Sequence, residues 1–176
     1  MSDSQIDLLL ADSSATEALG VALARAFRGA NTGNAGEGSA VFYLHGDLGA
    51  GKTTCVRSLL RELGVEGPIR SPTYTLVEVY PLPDITCVHV DLYRVQGPLE
   101  VEELGLRDYF AGKCLLLVEW PERGGAALPR ADVDMTLTYA DDSRQCRLSG
   151  ESTAGKNWLS DLVHDSSFTS YVSNLT

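Results

Sequence analysis

Short apolar runs alternate with segments of helical periodicity along the first part of the chain. Residues 6–10 form an apolar run that predicts a strand, and Asp12 begins a polar stretch able to cap a helix. In residues 15–27 the apolar side chains return every three or four positions, so this segment predicts a helix with one buried face. Residues 29–39, rich in glycine and asparagine, predict a flexible surface loop, and residues 40–44 predict a second strand.

The middle of the chain predicts two helices separated by a β-hairpin. Helical spacing runs through residues 54–63, and Gly64 is well placed to end that helix. Residues 75–79 and 85–90 are strand-like runs joined by a proline turn, which is typical of a hairpin. Residues 99–110 return to helical spacing, so a single helix is expected there.

The last part of the chain begins with its most continuous apolar run, KCLLLVEW. This run, residues 113–120, predicts a strand that is buried on both faces and central in a sheet. Residues 133–139 and 145–148 alternate around an acidic turn and predict a second hairpin, at the sheet edge. Residues 151–176 are expected to form a partly disordered C-terminal extension with one short helical turn near Trp158.

Length and composition agree with a single packed domain. The chain has 176 residues, of which 44% are hydrophobic and 22% charged, close to the average of soluble globular proteins. The pattern as a whole predicts one α/β domain over residues 1–150. Its core would be a mixed central β-sheet, flanked by helices and carrying antiparallel hairpins.

Charge and residue usage exclude several classes of function. Acidic residues outnumber basic ones by 24 to 14, and a formal net charge of −10 leaves no basic footprint for direct binding of nucleic acid. The four cysteines and three histidines are dispersed, so reduced thiols are expected rather than disulfides or a zinc site. Apolar runs stay far below the roughly 20 residues that span a bilayer. Because the N-terminus also lacks the basic start of a secretory signal, a cytoplasmic protein is expected.

One motif carries specific chemistry. Residues 46–53, GDLGAGKT, satisfy the pattern GxxxxGK[ST] between a predicted strand and a predicted helix, which is the context of a P-loop NTPase. Glycines let successive backbone N–H groups point at a phosphate, and the helix N-terminus adds the positive end of its dipole. Lys52 supplies a charge for the β- and γ-phosphates of ATP, and the Thr53 hydroxyl suits Mg²⁺. The expected nucleotide-binding residues are Asp47, Leu48, Gly49, Ala50, Gly51, Lys52, Thr53 and Thr54.

Three further residues are candidates for the same site. Asp91 and Glu119 each end an apolar run, so both are expected at strand ends beside the P-loop, although either also fits a solvated acid. Thr73, in the segment RSPTY, is a candidate switch residue that senses the γ-phosphate, although the segment also fits an ordinary turn. The predicted catalytic residues are Lys52, Thr73, Asp91 and Glu119, and the predicted metal ligands are Thr53, Glu119 and Asp91.

The order of five motifs resembles one family of P-loop proteins. GDLGAGKTT, SPTYTLVE, HVDLYR, GLRDYF and LVEWPER follow one another as in the TsaE (YjeE) family, over residues 5–150. The resemblance implies an ATPase required for the N6-threonylcarbamoyladenosine modification of tRNA. It would act on the TsaD and TsaB proteins without transferring the carbamoyl group itself, and it would reach tRNA only through that complex.

The resemblance also assigns roles within the motifs. It implies that Lys52 and Thr53 serve the phosphates and magnesium, that Thr73 is the switch threonine, and that Asp91 and Glu119 are functional acids. It adds Trp120, in the LVEWPER motif, as a residue near the nucleotide or the partner surface. Two segments depart from the family pattern without touching a motif. The glycine-rich segment is longer than usual, and residues 151–176 extend past the usual end.

Two other functions use the same motif. A small P-loop kinase would need an arginine-rich lid, but Arg123 and Arg130 lie in a segment rich in glycine and proline with no helical lid pattern. A noncatalytic nucleotide sensor would bind ATP and change a partner interface, and the sequence is compatible with it. Because no arginine is placed as a finger in cis, hydrolysis by the isolated chain is expected to be slow.

Overall fold

The computed structural model of the chain describes residues 5–30 and 38–169, and within these ranges it contains seven strands. The strands are β1 (Gln5–Leu10), β2 (Ala40–Gly46), β3 (Val77–Pro81), β4 (Thr86–Asp91), β5 (Cys114–Glu119), β6 (Val133–Ala140) and β7 (Ser143–Gly150). The helices of the same ranges are α1 (Ser13–Ala30), α2 (Lys52–Glu62), α3 (Pro98–Glu102), α4 (Thr153–Val163) and α5 (Ser166–Thr169). Short 3-10 helices cover Leu106–Ala111, Pro121–Arg123 and Gly125–Ala127.

One mixed sheet joins the strands in the order β1-β7-β6-β2-β5-β4-β3. Strand β2 pairs in parallel with both β5 and β6, and β4 pairs in parallel with β5. The remaining pairs, β1–β7, β3–β4 and β6–β7, are antiparallel. The predicted α/β class and mixed sheet are therefore confirmed. Because neighbouring parallel strands end at the same edge, the carboxyl ends of β2, β5 and β4 lie side by side.

The second hairpin does not lie at the sheet edge, so that prediction is wrong. Strand β1 pairs along the whole of β7, in a register that matches Ile6 with Leu148 and Leu8 with Cys146. All four of these side chains are buried in the same core cluster. The alternation in the hairpin predicts which face is buried, but it carries no information about which strand covers its far edge.

Strand β5 is buried along its entire length, as its apolar run predicts. Leu115 and Leu117 belong to the core that also contains the buried faces of α1 and α2. Leu116 and Val118 point to the other face of the sheet, into a cluster that contains Val101 of α3. Two covered faces, together with parallel partners on both sides, explain a strand with no polar position before Glu119.

The single helix predicted for residues 99–110 is instead two short pieces. Helix α3 ends at Glu102, and a 3-10 helix begins at Leu106. Between them Gly105 takes a left-handed conformation with φ 62°, which ends a helix. The apolar spacing continues through the glycine because both pieces pack against the same cluster, so periodicity alone does not reveal the break.

The C-terminal segment is more ordered than one helical turn. Helix α4 has 11 residues and is capped by Ser152, whose hydroxyl accepts a hydrogen bond from the Gly155 N–H at 3.0 Å. Trp158 is 2% exposed and packs against Phe27 and Phe42, with ring centroids 4.9 and 5.5 Å away. Its indole N–H donates to the Leu23 carbonyl at 2.8 Å. Helix α4 is therefore part of the packing that holds α1 on the sheet.

Two predictions of disorder fall partly outside the described residues. Residues 29 and 30 of the predicted loop end α1, whereas residues 31–37 lie outside the described ranges. Residues 170–176 of the predicted extension lie outside them as well.

The cysteines are four buried free thiols, in agreement with the sequence. Burial raises the pKa of the Cys55 thiol to about 12, so this thiol stays protonated. None of the helices within residues 5–30 and 38–169 is long and apolar enough to cross a membrane.

We expect Trp158→Ala to lower the free energy of unfolding by about 3–5 kcal/mol, because it removes a large buried ring from the contact between α1 and α4. Trp158→Phe should lose about 1 kcal/mol or slightly more, mainly the indole hydrogen bond. Urea unfolding followed by circular dichroism measures both changes. The neighbouring Asn157 is exposed, and Asn157→Ala is the control. Equal stability of the Trp158→Ala and Asn157→Ala variants would contradict a packing role for α4.

Candidate functional site

The predicted phosphate loop connects β2 to α2 at the carboxyl edge of the sheet. Gly46 has φ 136° and Gly51 has φ 112°, backbone conformations that side chains with a Cβ rarely adopt. A Cβ on Gly46 would also lie 2.4 Å from the Leu137 carbonyl oxygen of β6. The loop thus turns back against β6 and ends at the N-terminus of α2. There the first backbone N–H groups have no partner within the helix, a feature that favours an anion at a helix N-terminus.

Lys52 begins α2, and its ammonium group curls back over the loop. Its Nζ donates to the carbonyl oxygens of Gly46 and Asp47, at 2.5 and 2.9 Å, and lies 4.2 Å from the centroid of the Trp120 ring. Burial lowers the pKa of this ammonium, and four surrounding carboxylates, with Glu119 first, oppose that change. A buried cation is therefore held at the loop by neutral oxygens and an aromatic face.

The two predicted acids meet beside the loop. Asp91 and Glu119 are register partners at the ends of β4 and β5. The Thr53 hydroxyl lies 2.9 and 3.0 Å from the two carboxylate oxygens of Glu119. Asp91 Oδ2 accepts hydrogen bonds from the hydroxyls of Ser71 and Thr73, each at 2.9 Å. Thr53 of the phosphate loop is thus hydrogen-bonded to Glu119, and Thr73 of the predicted switch segment is hydrogen-bonded to Asp91.

A cavity of about 150 Å³ lies between these groups. It is lined by Leu48, Gly49, Gly51, Lys52, Thr53, Thr54, Ser71, Thr73, Asp91, Tyr93, Glu119 and Trp120. Of the predicted site residues, Asp47 and Ala50 do not line it. The Asp47 side chain is exposed outside this cavity, and the Ala50 side chain is buried in the core.

A larger concavity of about 470 Å³ lies on the open face of β1, β6 and β7. Its charged groups, Asp7 and Arg147, form an ion pair with each other at 2.8 Å. The smaller cavity is the better candidate because it gathers a cation, two carboxylates and a helix N-terminus.

Sequence reasoning did not assign His89, Tyr93 and Tyr139 to this site, and it included Ser71 only as part of the segment RSPTY. His89 is fully buried, with Nε2 at 2.8 Å from Glu119 Oε1. The Tyr139 hydroxyl donates to the Leu48 carbonyl at 3.1 Å, from the end of β6. His89 had a signal in the sequence, because it precedes Asp91 by two positions and must share its face of a strand. Tyr139 had none, because only the fold brings β6 above the loop.

Trp120 adopts an unusual backbone conformation. Its φ of 58° and ψ of 48° are left-handed, which is uncommon for a bulky residue. The ring contacts both Lys52 and Tyr93, and the two aromatic centroids are 5.0 Å apart. A strained backbone that aims a ring at a buried cation is typical of a functional segment.

His45 joins the loop to the segment after β5. Its Nε2 lies 3.1 Å from Asp134 of β6, and its Nδ1 lies 3.2 Å from Glu122. The hydrogen bond to Asp134 raises the pKa of His45, Glu122 adds to this increase, and burial opposes it. Because His45 directly precedes Gly46, this contact holds the root of the phosphate loop.

The described part of the chain contains no group of three or more His, Cys, Asp or Glu side chains arranged to hold a metal ion by themselves. Among the side chains that line the cavity, Thr53, Thr73, Asp91 and Glu119 carry oxygens. They are hard donors, of the kind that Mg²⁺ prefers.

We expect the stabilising effect of His45 to depend on pH. Its pKa is raised in the folded chain above the value of 6.5 for the unfolded chain, so its contacts stabilise the fold fully below pH 6.5. That contribution is lost as the pH rises through the folded pKa. It also fades below about pH 4, where the carboxylates take up protons.

Urea unfolding of wild type and His45→Gln between pH 5 and 9 measures this dependence. The difference in unfolding free energy should be larger at the acidic end, and Asp134→Asn should remove most of its pH dependence. A difference that is constant with pH would contradict the contact.

Comparison with solved structures identifies a close fold neighbour. A crystal structure of Bacillus subtilis YdiB superposes with a TM-score of 0.72 over 91% of this chain and 95% of that one, at 25% sequence identity. The overall fold described above is therefore shared with that protein.

Comparison of sequences gives the family. The model of the threonylcarbamoyl adenosine biosynthesis protein TsaE matches residues 10–148. The tRNA threonylcarbamoyladenosine biosynthesis protein TsaE of Haemophilus influenzae is 45% identical over 70% of this chain and 78% of its own length. The protein of the same name from Nostoc sp. is 37% identical over 84% of this chain and 87% of its own length. The chain belongs to the TsaE family.

Proposed function

We propose that the chain is a P-loop ATPase that binds Mg·ATP at residues 46–53 and hydrolyses it in support of tRNA threonylcarbamoyladenosine modification. The observation that carries the proposal is the meeting of Lys52 and Thr53 with Asp91 and Glu119 around one cavity. Each group suits one part of a nucleoside triphosphate bound to a metal ion. The names of the TsaE relatives support a role in tRNA threonylcarbamoyladenosine biosynthesis.

The phosphates fit the loop and the start of α2. The cavity of about 150 Å³ is smaller than the roughly 300–1,000 Å³ of typical small-molecule pockets, so it would enclose phosphate groups and leave the base outside. The unpaired N–H groups of the first turn of α2 would bind phosphate oxygens. Lys52 would exchange its carbonyl partners for phosphate oxygens, which gains a charge-assisted contact.

Magnesium fits the oxygen donors on the other side of the cavity. Mg²⁺ usually takes only one or two protein ligands and completes its shell with waters and phosphates, so a full protein cage is not required. The Thr53 hydroxyl is the expected direct ligand, and Asp91 and Glu119 would hold the ion or its waters. The ion, when bound, neutralises charge on the transferring phosphate. Glu119 and Asp91 would orient the attacking water.

The predicted switch segment supports a link to partner proteins. Thr73 shares Asp91 with Ser71, so a ligand that draws Thr73 toward a γ-phosphate must break a contact with that acid. The next residue, Tyr74, is 81% exposed and carries the Arg94 guanidinium 4.2 Å from its ring centroid. We therefore propose that the nucleotide state controls docking on TsaD and TsaB through residues 71–74. A ligand can shift this equilibrium only if it favours one state.

Contact with tRNA is proposed to be indirect. A formal net charge of −10 opposes binding to a phosphate backbone, whereas docking on a protein does not require a basic surface. A role in tRNA modification also supports the cytoplasmic location expected from the sequence.

We expect Lys52→Ala to reduce ATP hydrolysis by about 100-fold or more, because it removes the cation that stabilises charge on the transferring phosphate. Phosphate release should be measured for the chain alone and with TsaD and TsaB. Lys113→Ala removes an exposed lysine far from the loop in sequence and is the control. Melting temperatures check the fold of both variants. Wild-type hydrolysis in folded Lys52→Ala would defeat the proposal, and binding without hydrolysis in wild type would favour a nucleotide sensor.

We expect Thr73→Ala to abolish the dependence of partner affinity on the nucleotide, because it removes the hydroxyl proposed to sense the γ-phosphate. Affinity for TsaD and TsaB should be measured with ADP and with a nonhydrolysable ATP analogue. In wild type the two affinities should differ by about fivefold or more, a usual lower bound for coupling between sites.

Thr75→Ala is the matched control for this experiment. Thr75 is exposed, and its hydroxyl contacts Glu78 rather than Asp91. Equal affinities in wild type would contradict the switch, as would an unchanged difference in Thr73→Ala.

A further inference from the structure

His89 is a buried polar residue that the proposed chemistry does not use. It lies in β4 with no exposed surface, and its Nε2 is 2.8 Å from Glu119 Oε1. Its other ring nitrogen, Nδ1, has no hydrogen-bond partner among the described residues. Glu119 is thus the one side chain or backbone group that the ring contacts through a hydrogen bond in the described part of the chain.

The register of the sheet explains why His89 can reach Glu119. In the pairing of β4 with β5, Asp91 lies opposite Glu119 and His89 lies opposite Leu117. Residues two apart on a strand share a face, so His89 points to the same side as Asp91. The His89 ring therefore lies on the core side of Glu119, away from the mouth of the cavity.

The position is unfavourable for a residue with no function. On this face of the sheet the preceding neighbours of His89 and Glu119 are Cys87, Leu115 and Leu117, all in the apolar core. A buried ring nitrogen without a partner costs about 1–3 kcal/mol relative to a hydrogen-bonded one. An apolar side chain of similar volume would avoid that cost, so packing alone does not account for His89.

Glu119 is contacted by hydrogen-bonding side chains from two sides. Thr53 approaches from the loop side and contacts both carboxylate oxygens, whereas His89 contacts Oε1 from the core side. Thr53 lies on the side where the proposed ligands would bind, whereas the contact of His89 lies on the core side, away from them. His89 is therefore the described side chain whose contact with Glu119 does not face the proposed ligands.

We propose that His89 is a positioning residue for ATP hydrolysis, whose Nε2–H holds the Glu119 carboxylate in the orientation that the reaction needs. The inference rests on the proposed ATPase function and adds to it a residue from β4. It requires a proton on Nε2 and a side chain that reaches as far as Nε2. It does not require His89 to touch the nucleotide.

Three substitutions separate positioning from packing. The amide nitrogen of glutamine can occupy the place of Nε2, that of asparagine reaches only the place of Nδ1, and leucine fills the space without a donor. We expect His89→Leu and His89→Asn to lower kcat by about 10–100-fold, as for other residues that orient a ligand of the metal. KM for ATP should change much less, because the loop binds the phosphates.

His89→Gln should keep kcat within about threefold of wild type, well inside the 10–100-fold loss expected for the other two. Melting temperatures of all three variants show whether they fold. Equal impairment of folded His89→Gln and His89→Asn would overturn the proposal, as would an unimpaired His89→Leu.

A double-mutant cycle tests whether His89 acts through Glu119. In the Glu119→Gln background, His89→Leu should lower kcat by a much smaller factor than in wild type, because the carboxylate to be oriented is gone. Equal factors in the two backgrounds would mean that His89 acts elsewhere, and the proposal would fail.

A measurement on the ligand-free chain tests the contact without any activity. Long-range ¹H–¹⁵N spectra report which ring nitrogen of each histidine carries a proton, and His89→Gln identifies the His89 signals by their loss. A proton on Nε2 is expected, and Glu119→Gln should shift that signal. A ring protonated only on Nδ1 would overturn the contact itself.

The two kinds of readout distinguish this inference from the proposed function. If wild type shows no ATP hydrolysis that depends on Lys52, the proposed function fails, and the positioning role of His89 in hydrolysis fails with it. The proton on Nε2 would then still decide whether His89 holds Glu119. Hydrolysis that depends on Lys52 but not on His89 would defeat the inference alone.

Discussion

The parallel pairing of β4 with β5 and of β5 with β2 is the constraint on which the rest of the site depends. Parallel neighbours end at one edge, so the phosphate loop after β2 and the acids that end β5 and β4 must meet there. Their register sets Asp91 directly opposite Glu119. The relative position of the two acids does not depend on a flexible loop, because the backbone hydrogen bonds of the sheet impose it. The precision of the site therefore comes from its rigid elements.

The electrostatics of the edge follow from this convergence. One ammonium, Lys52, lies among four carboxylates that act on its pKa, including Glu119 and Asp91. Each of these charged groups contacts local partners. Lys52 takes loop carbonyls and the Trp120 ring, and each acid takes hydroxyl donors.

Some features were predictable because the interacting residues are close in sequence or obey a simple periodicity. The loop of residues 46–53 is contiguous, so its motif could be recognised without the fold. Asp91 and Glu119 were predicted because each ends an apolar run, and strand ends are where α/β proteins gather their site residues. The fully buried β5 was predicted from an uninterrupted apolar run. In each case local sequence and physical rule point the same way.

Other features were decided by contacts between distant segments. Strand β1 covers the edge of β7, Trp158 of α4 packs on α1, and Tyr139 contacts the loop. Each of these contacts joins segments that are far apart in the sequence. His89 shows the difference most sharply, since its face is readable from its spacing to Asp91, but its partner lies 30 residues further along the chain. The sequence by itself determined the class of fold and the family motif of the loop, because periodicity and motif are local properties. Only the tertiary structure decided which side chains surround that loop, because strand order and register are set by the burial of apolar faces throughout the sheet.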